Sequence, residues 1–265
     1  MKNLTGKHAV VFGAGGSICA AVAKEFAAEG AEVYLSGRTK ANVEAIVEDI
    51  AKNGGSAHGA QVDAEDDSAV GTYIDKIETQ AGSIDIVFNA IGPRVDDYGT
   101  GKNVVDLTVA EFMIPVSTIL KSQFITSRVA ARYMVKQHSG VILFITGSPA
   151  RGHVEGATAI GSAFGAIETF MENLAVEVSP CGVRVLCLRT TANSDSRTIQ
   201  QTVDALASRM NVTPEQVNTR IASLNLLKVP ASVLDTAKTL AFLASDRARM
   251  MTGTVVNSSA GAAAD

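Results

Sequence analysis

Residues 8–30 read HAVVFGAGGSICAAVAKEFAAEG, and this stretch decides the fold. The run from His8 to Gly13 is short, apolar and rich in β-branched residues, which predicts a buried strand. A glycine cluster follows at Gly13, Gly15 and Gly16. Residues 17–29 then take helical spacing, and Gly30 stands where a helix end needs a residue tolerant of positive φ. A strand, a glycine turn and a helix place unpaired backbone N–H groups and the positive end of a helix dipole at one point. Such a point binds an anion, and a pyrophosphate suits it. Gly13, Gly15, Gly16, Ser17 and Ile18 are therefore the candidate phosphate-binding residues.

The same alternation continues along the chain. Apolar runs at 32–36, 56–62, 84–90, 140–146, 183–188 and 253–257 predict strands, with helical patterns at 40–52 and 66–81 among the intervening segments. Runs as continuous as IDIVFNA and GVILFIT suit parallel strands covered on both faces. Strands alternating with helices imply βαβ units, right-handed crossovers and a ligand crevice at the strand C-termini. The expected architecture is α/β: a Rossmann-type, doubly wound, seven-stranded parallel sheet with helices on both faces. Residues 1–265 read as a single dinucleotide-binding domain. The one composition shift is at 190–230, polar at TTANSDSRTIQQ and then helical. Thr213-Pro214-Glu215-Gln216 has the form of a capped helix start, so this segment reads equally as packing helices or as a helical lid over the crevice.

Composition sets outer limits. The chain has 265 residues, 46% hydrophobic and 19% charged, which is enough apolar material for one large core. A net charge of −4 argues against nucleic acid or an anionic membrane surface as partner. Three cysteines, Cys19, Cys181 and Cys187, lack metal-ligand spacing, and no metal is expected. No leader-like apolar run or membrane span is visible, so a cytoplasmic protein acting on a small molecule is expected.

These motifs resemble the short-chain dehydrogenase/reductase family over almost the whole chain. That family's turn is TGxxxGxG. Here Phe12 stands in the Thr slot, Gly13 in the first glycine slot, Ser17 in the second and Cys19 in the third. The resemblance implies that Cys19 crowds the cofactor, so Cys19→Gly should tighten its binding. Arg38 follows the second strand, with Ser36 and Gly37 where an acid would hold the ribose of NAD. The resemblance therefore favours NADP(H) over NAD(H), the guanidinium pairing with the 2′-phosphate. Asp63-Ala64 resembles the family's pair beside the adenine, Asp63 reading equally as a helix cap. Asn89-Ala90-Ile91-Gly92 resembles its NNAG, so Asn89, Ala90 and Gly92 join the cofactor residues.

The family's chemistry, however, has lost its residues. Setting the register on Leu174-Ala175-Val176-Glu177 puts the catalytic Tyr slot at Ile160 and the Lys slot at Phe164. The Ser slot falls at Gly147, beside Ser148, and the Asn slot near Ile119. Independently of alignment, no Tyr lies beyond Tyr133, no Lys lies between Lys136 and Lys228, and no Asn lies between Asn103 and Asn173. The expected substrate pocket is Ile119, Ser148, His153, Ile160 and Phe164, and no catalytic residue is assigned. Arg151 and Glu155 in the same loop read as a solvated pair. The implied function is an NADP(H)-dependent oxidoreductase with an apolar site, passing hydride to an activated C=N or C=C substrate. An inactive dinucleotide-binding sensor or scaffold, or a lyase, isomerase or cyclase on the same fold, remain open. The resemblance also implies a homo-oligomer, a dimer or tetramer, along the helices at 109–138 and 158–179.

Overall fold

The computed structural model describes residues 2–152 and 154–263. Seven parallel strands form one sheet in the order β3-β2-β1-β4-β5-β6-β7. They are β1 (His8–Phe12), β2 (Glu32–Gly37), β3 (Ser56–Gln61), β4 (Ile86–Asn89), β5 (Gly140–Gly147), β6 (Val183–Thr190) and β7 (Thr254–Ser258). Between them run α1 (Ser17–Ala28), α2 (Lys40–Lys52), α3 (Asp67–Ala81), α4 (Val109–Gln137), α5 (Thr158–Val178), α6 (Arg197–Met210), α7 (Pro214–Leu224) and α8 (Val233–Ala244). The architecture is the doubly wound sheet that the alternation predicts.

Strand side chains alternate between two cores, as the period of two requires. Ala9, Val11, Val33, Leu35, Phe88 and Leu143 pack with Val22 and Phe26 of α1 and Leu240 of α8. Val10, Phe12, Tyr34, Val87, Ile142 and Phe144 face the other way, onto Ile74 of α3, Val129 of α4 and Ile167 of α5. Neither face of the central strands meets water, which explains their unbroken apolar runs.

The strand order reverses between β1 and β4, where Phe12 stands level with Asn89 and with Ser36 of β2. The loops after β1 and β4 leave in opposite directions from this point, opening a crevice at the strand C-termini. Helix starts follow their caps. Asp66 accepts from the Ala69 N–H at the start of α3, so Asp66 is the cap there and Asp63 instead accepts from the Glu65 N–H. Thr213 and Gln216 form a reciprocal capping box with Pro214 at the first turn of α7, as the sequence indicates.

Candidate active site

A cleft of about 780 Å³ occupies the crevice. Gly13, Gly15, Gly16 and Ile18 form one wall, and Arg38, Asp63, Ala64, Ala90 and Gly92 continue it along the ends of β2, β3 and β4. Ile119, Ser148, Ile160 and Phe164 line its other half. His153 lies outside the described residues. Segment 190–225 closes one side through Thr190, Asn193, Arg197, Ile199, Leu206 and Ile221.

The glycine turn is built for a ligand on its outer side. The N–H groups of Gly13 and Ala14 donate to the Ser36 carbonyl, and Gly16 N–H donates to the Gly13 carbonyl, which fixes the turn. Gly13 has φ of +98°, and an added Cβ there would stand 3.0 Å from Ile91 Cγ1. Helix α1 starts at Ser17 with no side-chain cap and no acid in its first turn. Its first N–H groups therefore have no helical acceptor and face the crevice. These donors, the exposed Arg38 guanidinium and the Asn42 amide together fit the phosphates and ribose of a dinucleotide. Asn42, whose Nδ2 would stand 3.5 Å from a Cβ on Gly15, is a lining residue that the sequence pattern did not single out.

Three of the sequence-derived cofactor residues act from behind the wall. Ser36 is buried and holds the turn through its carbonyl. Asn89 is buried, donates to Thr126 Oγ1 (3.0 Å) and accepts from the Ile91 N–H (2.8 Å), pinning the loop after β4 to α4. Ser17 Oγ accepts from the Arg197 backbone N–H at 3.1 Å.

Cys19 does not crowd the cleft. Its thiol is fully buried in the α1 core and donates to the Phe12 carbonyl at 3.0 Å, beneath the turn. Burial pushes the thiol up to about 12, an inert group. This packing gives no support to the expectation that Cys19→Gly tightens binding, because the side chain to be removed stands in the core and not in the cleft.

At the far end, Ile119, Gly147, Ile160 and Phe164 line one space. A Cβ on Gly147 would lie 3.1 Å from Phe164 Cε2 and 3.3 Å from Pro149 Cδ. The Phe164 ring thus packs directly over Gly147. Thr146 beside it donates to Glu168 Oε1 at 2.9 Å, so its proton is already committed. Glu168 in turn is held by Arg189 through two bonds of 2.8 Å. Arg151 reaches Glu168 Oε2 at 3.4 Å, so it partners Glu168 and not Glu155 as the loop spacing suggested. The sequence reading passed over Tyr98 as well, which lies in the turn after β4, lines the cleft and is buried, its hydroxyl pushed up by that burial.

Among the described residues no cluster of His, Cys, Asp and Glu could hold a metal, and no helix is long and apolar enough to cross a membrane.

A parallel doubly wound sheet with a glycine-turn cleft at its switch point is the architecture of the dinucleotide-binding folds. The comparisons agree. The family described as enoyl-(acyl carrier protein) reductase matches residues 13–263. Versicolorin reductase of Emericella nidulans is 30% identical over 98% of this chain and 96% of its own. An uncharacterized oxidoreductase of Bacillus subtilis, YxbG, is 29% identical over 98% and 92%. Levodione reductase superposes with a TM-score of 0.89 at 23% identity, covering 97% of this chain and 98% of its own. Actinorhodin polyketide ketoreductase with NADPH gives 0.88 at 18% identity, covering 97% of each. The chain belongs to the short-chain dehydrogenase/reductase family.

Proposed function

We propose that this chain is an NADP(H)-dependent oxidoreductase whose substrate carries its own activation, an iminium ion first and a conjugated alkene second, since the enolate formed from an alkene still needs stabilising. A bound nicotinamide would supply hydride. The packing of the Phe164 ring over Gly147 carries this reading, because it fills with hydrocarbon the place where the family polarises a carbonyl. A positioned general acid is typically worth ~10²–10⁴ in rate and an oxyanion donor ~10²–10³. A substrate already bearing positive charge needs neither. Ile119, Ile160 and Phe164 would exclude water from it, and Ser148 and Tyr98 are among the cleft-lining hydroxyls that could orient it. Arg38 and Asn42 support NADP(H) over NAD(H).

Segment 190–230 serves in this reading as the lid. Some of its polar groups are spent within it or on α8: Thr191 donates to Asn225 Oδ1, Asn225 donates to the Val229 carbonyl, and Thr236 of α8 donates to Asn193 Oδ1. The outer faces of α4 and α5 are read as the seam of a homo-oligomer, with Met113 and Phe124 exposed there.

Two measurements test the proposal. Fluorescence titration should give tighter binding of NADPH than NADH, and Arg38→Gln should weaken NADPH by about 10–100-fold, the worth of a charge-assisted contact. Single-turnover NADPH oxidation should be fastest with cyclic iminium ions, slower with enones and slowest with ketones. Ketones reduced fastest would overturn the substrate class, and no binding of either dinucleotide would overturn the whole reading.

A further inference from the structure

Arg197 joins two parts of the chain that lie 180 residues apart. It opens α6, and its backbone N–H donates to Ser17 Oγ at the start of α1. Its guanidinium Nη2 donates to the Gly15 carbonyl, on the glycine turn itself. Ser196 caps α6 by accepting from Ile199 N–H, which leaves the Arg197 N–H available for this contact.

Positive groups gather at the junction, and the neighbouring acid, Asp195, accepts from the Val233 N–H. The N-termini of α1 and α6 converge here, each contributing positive potential. Neither has an acidic residue in its first turn. The guanidinium adds a full positive charge at an exposed position lining the cleft. Its contact with Gly15 uses one of five N–H donors, and a carbonyl is a weak match for a charged fork made for phosphate or carboxylate. An anion between Arg197 and the first turn of α1 would satisfy all three sources of charge.

We infer that Arg197 is a ligand of the dinucleotide's diphosphate, carried on α6, so that holding the diphosphate and holding α6–α7 over the cleft are one equilibrium. This rests on the NADP(H) reading of the cleft. The helix that begins at Arg197 also carries Ile199 and Leu206 into the cleft wall, so anchoring its first residue sets the substrate side as well.

The test pairs binding with proteolysis. Wild type and Arg197→Gln are titrated with NADPH, with 2′-phospho-ADP-ribose, which keeps the diphosphate, and with 2′-AMP, which lacks it. Arg197→Gln keeps the backbone contact to Ser17, and its thermal midpoint checks the fold. Expected is a loss of about 10–100-fold for the two diphosphate ligands and an unchanged affinity for 2′-AMP. Trypsin cleavage after Arg209 and Arg220, followed by mass spectrometry, should be suppressed by saturating NADPH in wild type and far less in the variant at equal occupancy. Equal NADPH affinity in both proteins, an equal loss for 2′-AMP, or equal protection would overturn this inference while leaving the cofactor reading intact. A wild type that binds neither NADPH nor NADH removes the cofactor reading itself.

Discussion

Glu168 and Arg189 form a two-pronged ion pair with both side chains only 2% exposed. Arg189 Nε and Nη2 each donate to a different carboxylate oxygen at 2.8 Å. Thr146 donates to the same carboxylate, and Arg151 approaches it from the turn after β5. One acid from α5 is thereby tied to β6, to β5 and to the loop bordering the cleft. Glu168 lies one helical turn after Phe164, so the pair fixes the floor on which the apolar pocket rests.

Breaking such a pair should cost far more than replacing it. Glu168→Ala removes the carboxylate that Arg189 Nε and Nη2 both donate to in the core, and a loss of about 3–5 kcal/mol is expected. Glu168→Leu with Arg189→Met removes both charges and should recover most of it. Urea unfolding without cofactor measures both. A single-variant loss below ~1 kcal/mol would show that the pair is not what holds the floor.

The contact between Gly147 and Phe164 makes a second expectation. Gly147→Ser puts a Cβ 3.1 Å from the Phe164 ring, and overpacking of this kind costs ~1–3 kcal/mol. Phe164→Lys replaces the ring with a flexible chain that can yield. The two substitutions should therefore couple favourably by at least ~0.5 kcal/mol in a double-mutant cycle. Adding Ile160→Tyr and Ile119→Asn should then raise ketone reduction above that of wild type. Additive costs would mean that the ring does not exclude the serine.

Much of this was legible in the sequence, and the limits have physical causes. Strand runs and the glycine turn are local patterns, so every strand is found, with ends displaced by at most a few residues. That Ile119, Ile160 and Phe164 line one cleft was also readable, because register puts them at one end of the crevice. Glu168 and Arg189 were not, since an ion pair across 21 residues leaves no periodic trace and Arg189 lies just past the apolar run VRVLCL. The burial of Cys19 was not legible because a turn's sequence does not say which side of the backbone a side chain takes. Arg197 was invisible for the same reason as the ion pair: its partners are 180 and 182 residues away.

Glu111 gives a pH dependence whose sign is fixed. Its carboxyl sits at about 2, below the usual 4.5, because Lys102 donates to it, then the Thr108 backbone N–H, then the Thr108 hydroxyl. A depressed carboxyl contributes stability above its unfolded value, so the contribution is full above pH 4.5. It is lost as pH falls from 4.5 towards 2. Glu111→Gln should lower stability at pH 7 and flatten the acid limb over that window. An unchanged limb in urea unfolding at stepped pH would rule out this contribution.

The three thiols should separate sharply in reactivity. Burial pushes both Cys19 and Cys187 up to about 12, and neither is exposed. Cys181 is partly exposed, in the turn between α5 and β6. A disulfide reagent at pH 8 should therefore titrate one thiol in the native protein and three after denaturation, with Cys181→Ser abolishing the native reaction. Cys19→Gly should lower stability by ~2–4 kcal/mol: it removes a buried side chain, loses the bond to the Phe12 carbonyl and places a glycine inside α1. NADPH affinity at full folding should stay unchanged or weaken. Tighter binding by that variant would mean that the thiol reaches the cleft after all, and its slow native reactivity would have to be explained by something other than burial beneath the turn.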